Sequence, residues 1–199
     1  FNRVLQAGLA VSVLLAALVN LFPQAILELL GTTPADGTLY TAAKGYLCLI
    51  ASGAPLFLLK YVLNDFLRSD DNRRLATRGS LYGNAIRIAL DLVLVPGLGM
   101  GTAGAAGATL IGLSVSVRCY MPALFAKDRT LHLAAARPNP RETLSCLKSG
   151  LHGAAPYLYR MVFFLLANHL LLRLEGENGV AVFAVVQSTA YLILYLSLI

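Results

Sequence analysis

Long apolar runs, separated by short clusters of turn-forming and charged residues, set the pattern of this chain. The runs 4–22, 45–67, 79–95, 103–126, 151–172 and 178–199 each approach the roughly 17–25 mostly apolar residues that a helix needs to cross a bilayer core about 30 Å thick. The third is short, and its pattern places the helix start one turn earlier, near Leu75. Pro23, "GTTPADG", "SDDN", "PGLG", "RPNP" and "EGENG" fall between the runs, where proline, glycine and asparagine favour turns. The pattern predicts an all-α, polytopic transmembrane helix bundle of six spans.

Lysine and arginine then orient it, because cytoplasmic loops carry an excess of both. Arg3, the group Arg68, Arg73, Arg74 and Arg78, and the group Lys127, Arg129, Arg137, Arg141 and Lys148 fall on one side of the six spans. Only Lys44 and Arg173 fall on the other. The strict alternation places the N-terminal end and the loops "RSDDNRR" and "KDRTLHLAAARPNPRE" in the cytoplasm, in a multi-pass protein of the cell (inner) membrane. The second of these loops is the longest and holds two prolines, so it is the expected boundary between lobes. The expected organisation is 1–126 as the latter part of a first lobe, 127–141 as the inter-lobe loop and 142–199 as the start of a second lobe.

Composition agrees with lipid as the solvent. The chain is 57% hydrophobic and 13% charged, against about 45–50% and about 25% in soluble domains. The net charge of +6 sits in short clusters between apolar runs without an aromatic and basic platform, which argues against nucleic acid as a partner. Cys48, Cys119 and Cys146 are odd in number and far apart, without metal-ligand spacing, and read as packing residues. No small-residue cleavage site follows the opening run, so no secretory signal is read. Starting at Phe1 and ending at Ile199 inside an apolar run, the chain reads as a fragment that works with the rest of a longer transporter chain.

Charges inside the spans are the candidate chemistry. A charge at mid-bilayer costs about 2.5–3.5 kcal/mol on insertion scales, so it turns to a partner or a wet cavity. Arg118 lies near a cytoplasmic end and snorkels, whereas Lys60 lines a cavity or snorkels in the same way. In "NAIRIALDLVLVPGLG" (84–99), Arg87 and Asp91 are four residues apart and stack on one helix face. Two readings are open: an internal ion pair that makes the helix insertable, or a pair facing a water-filled path. Arg160 has no carboxylate three or four residues away, so its partner comes from another helix, from backbone or from water, and it points to a cavity. Gln187 is a polar contact in an interior groove or interhelical glue, and His169 and His152 read as interfacial hydrogen-bonding residues. The fourth run opens "GMGTAGAAGATLIG", a small-residue face that lets helix backbones approach closely. Packed on the third span, it brings Thr109 towards Asp91. No HExxH, GxSxG, phosphate loop or aspartate cluster is present, so neither an enzyme nor a cofactor is expected.

The segment "NDFLRSDDNRRLATRGSLYGNAIRIALDLVLVPGLGMGTAGAAGATLIG" (64–112) resembles the fourth to sixth helices of multidrug and toxic compound extrusion (MATE) transporters. It shares with them a polar loop after an aromatic-arginine turn, an asparagine-bearing helix ending in Leu-Asp, and a "GxxGAAxAT" helix start. "LKSGLHGAAPYLYRMVFFLLANHLLLRLEGENGVAVFAV" (147–185) is similar to the seventh helix and the start of the eighth. The resemblance implies helices three to eight of a twelve-helix, two-lobe antiporter. Such a protein exports drugs or other small amphipathic compounds by alternating access, driven by protons or sodium ions. It also implies a first-lobe cation site to which Asp91 and Thr109 correspond, while the family's asparagine position is Arg87 here. A guanidinium beside Asp91 puts a fixed positive charge where the ion would sit. The expectation is therefore an ionised pair rather than a sodium site. The candidate substrate or ion pathway comprises Arg87, Asp91, Thr109, Asn84, Arg160 and Gln187. The family's acidic residue on the seventh helix has no counterpart here, and Arg160 in its place favours anionic or zwitterionic substrates. Lys60, Arg87 and Arg160 also keep open a related lipid or lipid-linked oligosaccharide flippase. From other classes, a membrane-embedded enzyme or a non-transporting scaffold is the further alternative.

Overall fold

The computed structural model describes residues 2–32, 34, 37–125 and 140–197. Every regular element among them is helical. In chain order these are α1 (Asn2–Leu21), α2 (Pro23–Leu29), α3 (Thr38–Ser52), α4 (Ala54–Ser69), α5 (Arg73–Leu92), a π-helical turn (Val93–Gly97), α6 (Gly101–Phe125) and α7 (Pro140–Ser197). The chain is thus an all-helical membrane bundle. The loop expected over 127–141 lies almost wholly outside the described residues.

Proline and glycine decide where the apolar runs bend. Pro23 occupies the first turn of α2, where its missing N–H costs nothing, and the chain turns there by 84° between α1 and α2. The run expected as one helix over 45–67 is two, α3 and α4, meeting at 48° around Gly53. Pro55 in the first turn of α4 cannot donate to the carbonyl a turn back. Gly53 fits because any Cβ there would collide with the Leu110 side chain of α6. The third helix starts at Arg73, slightly before the expected turn near Leu75. The last two expected spans join into α7, broken at Gly176, whose φ of 66° and ψ of −155° are open to glycine. Across that break Phe164 and Phe183 meet edge to face, with centroids 6.2 Å apart.

By length and hydropathy the helix Gly153–Gly176 crosses a membrane unbroken, and the bent pairs α1–α2 and α3–α4 each qualify as one span. Helices α5 and α6 differ in composition from the others in two ways. Four arginines and Asp91 interrupt α5, and α6 is rich in glycine, alanine and serine. They are nonetheless 20 and 25 residues long, about 30 and 37 Å at 1.5 Å per residue.

The radial distribution is the reverse of a soluble domain. Leu14, Leu18 and Leu21 on α1, Ile88 and Leu92 on α5, and Leu166 and Leu170 on α7 are exposed. The buried residues of α5 and α6 are mostly small or polar: Ala76, Ala106, Ala108, Thr109, Ser116 and Tyr120. In lipid, apolar burial supplies no drive between helices, so close backbone contact and hydrogen bonds do. Helix α6 is the hub, packed against α3, α4 and α5. Among the described residues α7 meets the other helices through α1, with Leu172 beside Gly31.

Candidate functional site

The α5–α6 contact builds the site's wall. A Cβ on Gly79 would collide with the Tyr120 ring, one on Gly83 with Ser116 Oγ and the Gly112 carbonyl, and one on Gly112 with Arg87 Cβ. These contacts step four residues along each antiparallel helix, 79 with 120, 83 with 116 and 87 with 112. A helix presents the same face at that interval, so the next step sets Asp91 level with Ala108, the neighbour of Thr109. Immediately beyond Asp91 the backbone widens into the π-helical turn that holds Pro96. Such turns relieve the hydrogen bond a helical proline cannot make.

Arg87 and Asp91 do share a face. Arg87 Nε lies 3.7 Å from Asp91 Oδ2, with the side chains 50% and 34% exposed. That is an ion pair but too long for a hydrogen bond, and Asp91 Oδ1 is buried without a hydrogen-bond partner. Thr109 is buried, and its hydroxyl donates to the Ala105 carbonyl one turn back, at 2.9 Å. Its hydrogen bond is thus spent on its own helix and not on Asp91. Asn84 is exposed one turn before Arg87. Arg160 is exposed and Gln187 half-buried on α7, a helix that among the described residues does not pack against α5 or α6. The six sequence-derived residues therefore divide into a group at the α5–α6 contact and a pair on α7.

Two features were not among them. Lys60 on α4 is half-buried and lies within electrostatic range of Arg87, with its ammonium 5.0 Å from the ring centroid of Tyr61. One turn along α4, Asn64 is buried. Its Nδ2 donates to Ser80 Oγ and Tyr120 Oη, both at 3.0 Å, and to the Ala76 carbonyl at 3.3 Å. Arg68 Nε donates to Asn64 Oδ1 at 2.9 Å. Ser80 and Tyr120 share a further hydrogen bond of 2.8 Å, and Tyr120 Oη also donates to the Ala76 carbonyl at 3.2 Å. This network ties α4, α5 and α6 at the end where Leu63, Leu67, Ala76, Val117 and Ala123 form an apolar cluster. The available sequence signal was an asparagine one turn before Arg68 inside an apolar run. Its partners on α5 and α6 are 12–56 residues away, beyond any local pattern. Among the described residues no group of three His, Cys, Asp or Glu is placed to hold a metal ion.

A helix bundle with lipid-facing leucines, a buried polar network and charges within its apolar spans defines an integral, multi-pass membrane protein. The MatE family model matches residues 1–93, a little under half of the chain. Among solved structures, an inward-facing multidrug resistance MATE family transporter of the MOP superfamily is 25% identical, with a TM-score of 0.81 over 90% of this chain and 41% of that one. An outward-facing structure of a multidrug resistance MATE family transporter is 26% identical, with a TM-score of 0.69 over 92% and 42%. A MOP superfamily transporter from Pyrococcus furiosus, described as having a binding pocket of reverse polarity that suggests a different function, is 26% identical, with a TM-score of 0.74 over 96% and 43%. The chain spans about two fifths of the length of these structures. The comparison with curated proteins returns no match.

Proposed function

We propose that the chain belongs to a secondary active exporter that moves a small amphipathic compound outward by alternating access, driven by a proton or sodium gradient across the cell membrane. The observation that carries this reading is the Arg87–Asp91 pair on α5 in a fold that resembles both an inward-facing and an outward-facing MATE transporter. Residues 1–126 supply the latter part of the first lobe, 127–141 the inter-lobe loop and 142–199 the start of the second. The sparse packing of α7 on the earlier helices supports that division.

In this reading Arg87 is the fixed cationic partner of Asp91 and stands where a coupling cation would sit. The pair lines the path, and Asn84, Thr109, Arg160 and Gln187 complete its polar lining. No sodium ion then binds at Asp91, and coupling rests on other groups. The test is uptake of dyes and amphiphiles into inverted vesicles, with proton and sodium gradients imposed separately. Sodium-dependent transport that disappears in Asp91→Asn would overturn the assignment.

A flippase for lipid or lipid-linked oligosaccharide is the second reading, favoured by the closeness of Lys60 to Arg87 and by the likeness to the reverse-polarity transporter. Movement of a fluorescent anionic lipid between leaflets without efflux of soluble dyes would select it.

A further inference from the structure

Two bends in neighbouring spans meet at one corner of the bundle. Helix α1 gives way to α2 at 84°, and α3 to α4 at 48°. Beside both breaks, Asn20 Nδ2 of α1 donates to Oγ of Ser52, the last residue of α3, at 3.3 Å. The backbone between α3 and α4 can be satisfied in two ways. Pro55 has no N–H to give the Ala51 carbonyl in either. Leu56, whose N–H reaches the Ser52 carbonyl in a continuous helix, donates instead to the Gly53 carbonyl at 2.9 Å, and Phe57 donates to the same oxygen at 3.1 Å. Such a three-residue step inside a span is a recurrent hinge geometry. Straightening the pair would move the Leu56 N–H from the Gly53 to the Ser52 carbonyl and lose no backbone hydrogen bond. Three ties select the bent form. Two are the Asn20–Ser52 bond and a bond from Thr102 Oγ1 of α6 to the Ala42 carbonyl of α3, also 3.3 Å, both at the long end of the hydrogen-bonding range. The third is the Leu110 side chain of α6, which fills the notch at Gly53.

We propose that the α3–α4 break is a hinge on which α3 swings away from α6, with Leu110 and the Thr102–Ala42 hydrogen bond as its catch. The proposal rests on the transporter reading, which places the Thr38 end of α3 outside and makes the swinging half an outer gate. The two halves of the pair are held very differently. Helix α4 is fixed by the buried bonds of Asn64 to Ser80 on α5 and Tyr120 on α6, and its Leu58 packs against Gly8 of α1. Among the described residues, the side-chain hydrogen bonds that tie α3 to its neighbours are the two long ones. Motion at the break therefore carries α3 and leaves α4 in place. Hinges of this kind absorb their backbone change at a few residues where elements end, here Ser52 to Pro55. Helix α3 is 15 residues long, about 22 Å, so closing the whole 48° bend carries its tip through about 18 Å. Because Thr102 meets Ala42 near the ends of both helices, a swing of that size parts the Thr38 end of α3 from the Gly101 end of α6.

The test is the distance between spin labels on Leu39→Cys and Met100→Cys, both about half exposed, measured by double electron–electron resonance. The protein is held in lipid nanodiscs and lacks Cys48, Cys119 and Cys146. The parent should show a predominant short distance and a minor one longer by up to about 18 Å. Gly53→Ala sets a carbon against Leu110 and adds helix propensity at the break, so it should raise the ratio of long to short by about fivefold or more. Adding Leu110→Ala makes room for that carbon and should bring the ratio back towards the parent. Pro55→Ala supplies the N–H that the Ala51 carbonyl lacks and should also raise the ratio. Thr102→Val removes one exposed hydroxyl without touching the hinge glycine, and should raise the ratio about twofold to tenfold. Gly107→Ala, with open space around its added carbon, should leave the ratio unchanged. A single distance that none of Gly53→Ala, Pro55→Ala and Thr102→Val alters overturns the proposal, as does a rise in Gly107→Ala equal to that in Gly53→Ala. Two distances that follow these substitutions in a protein that moves no amphiphile in proteoliposomes would keep the hinge and refute the transporter reading. Transport with an unaltered distance would do the reverse.

Discussion

Gly83→Ala is the sharpest perturbation of the α5–α6 contact, because the added carbon meets backbone that cannot rotate away. Its Cβ would stand 2.5 Å from the Gly112 carbonyl oxygen and 3.1 Å from Ser116 Cβ, with Ser116 Oγ closer still. The serine hydroxyl can turn aside, but the carbonyl belongs to α6. A carbon–oxygen contact relaxes at about 3.3 Å, so the helices must separate by about 0.8 Å at this level. Neighbouring contacts, Gly79 with Tyr120 and Gly112 with Arg87, sit on the same seam and loosen with it. Overpacking costs about 1–3 kcal/mol, and alanine returns about 1 kcal/mol of helix propensity over glycine. The net loss is about 0–2 kcal/mol. Gly107→Ala on α6 is the matched control: nothing lies within 4 Å of its added carbon, so only the propensity gain of about 1 kcal/mol remains. Thermal unfolding in detergent, followed by circular dichroism at 222 nm, reads the difference. At about 2–4 °C per kcal/mol for a chain of this size, Gly83→Ala should melt up to about 8 °C below the parent and Gly107→Ala about 2–4 °C above it. A Gly83→Ala melting temperature as high as that of Gly107→Ala would show that these glycines are not what sets the helix separation.

Further predictions test the network, the lipid face and the topology. Tyr120→Phe removes the hydroxyl shared by Asn64, Ser80 and the Ala76 carbonyl, which should cost about 1–3 kcal/mol as buried groups lose their partner; detergent melting curves check it. Leu14→Arg, on an exposed stretch of α1, should raise the cost of membrane insertion by about 2.5–3.5 kcal/mol, while Leu14→Ala should change it far less, as scored by a glycosylation reporter of insertion. In a variant lacking Cys48, Cys119 and Cys146, Ser69→Cys should react with an impermeant maleimide only after the membrane is opened. Thr38→Cys, at the other end of the α3–α4 pair, should react in intact cells.

Much of the membrane architecture is legible without coordinates because it depends on one-dimensional quantities. Run length is matched to a bilayer thickness, and lysine and arginine alternate between loops. Both are summed along the chain and are insensitive to which helix sits beside which. The pairing of Arg87 with Asp91 is equally local, since a helix places residues four apart on one face. The bend at Gly53 was harder to see. Proline and glycine permit a break, but the near contact with Leu110 on α6 selects its position.

What the tertiary structure alone decided are the relations between helices. The four-residue seam from Gly79 to Arg87 on α5 matches Tyr120, Ser116 and Gly112 on α6, and that register puts Thr109 beside the level of Asp91 while its hydroxyl stays on its own helix. Asn64 finds Ser80 and Tyr120, and Lys60 comes within reach of the Arg87 charge, only when α4 folds back on α5. By itself the sequence determined that these helices enter lipid and which residues are costly there, because transfer free energy is a property of each side chain. Which costly residues meet is a property of the packing, and in lipid that packing follows from backbone approach and hydrogen bonding at a few small residues, which no periodicity in the chain records.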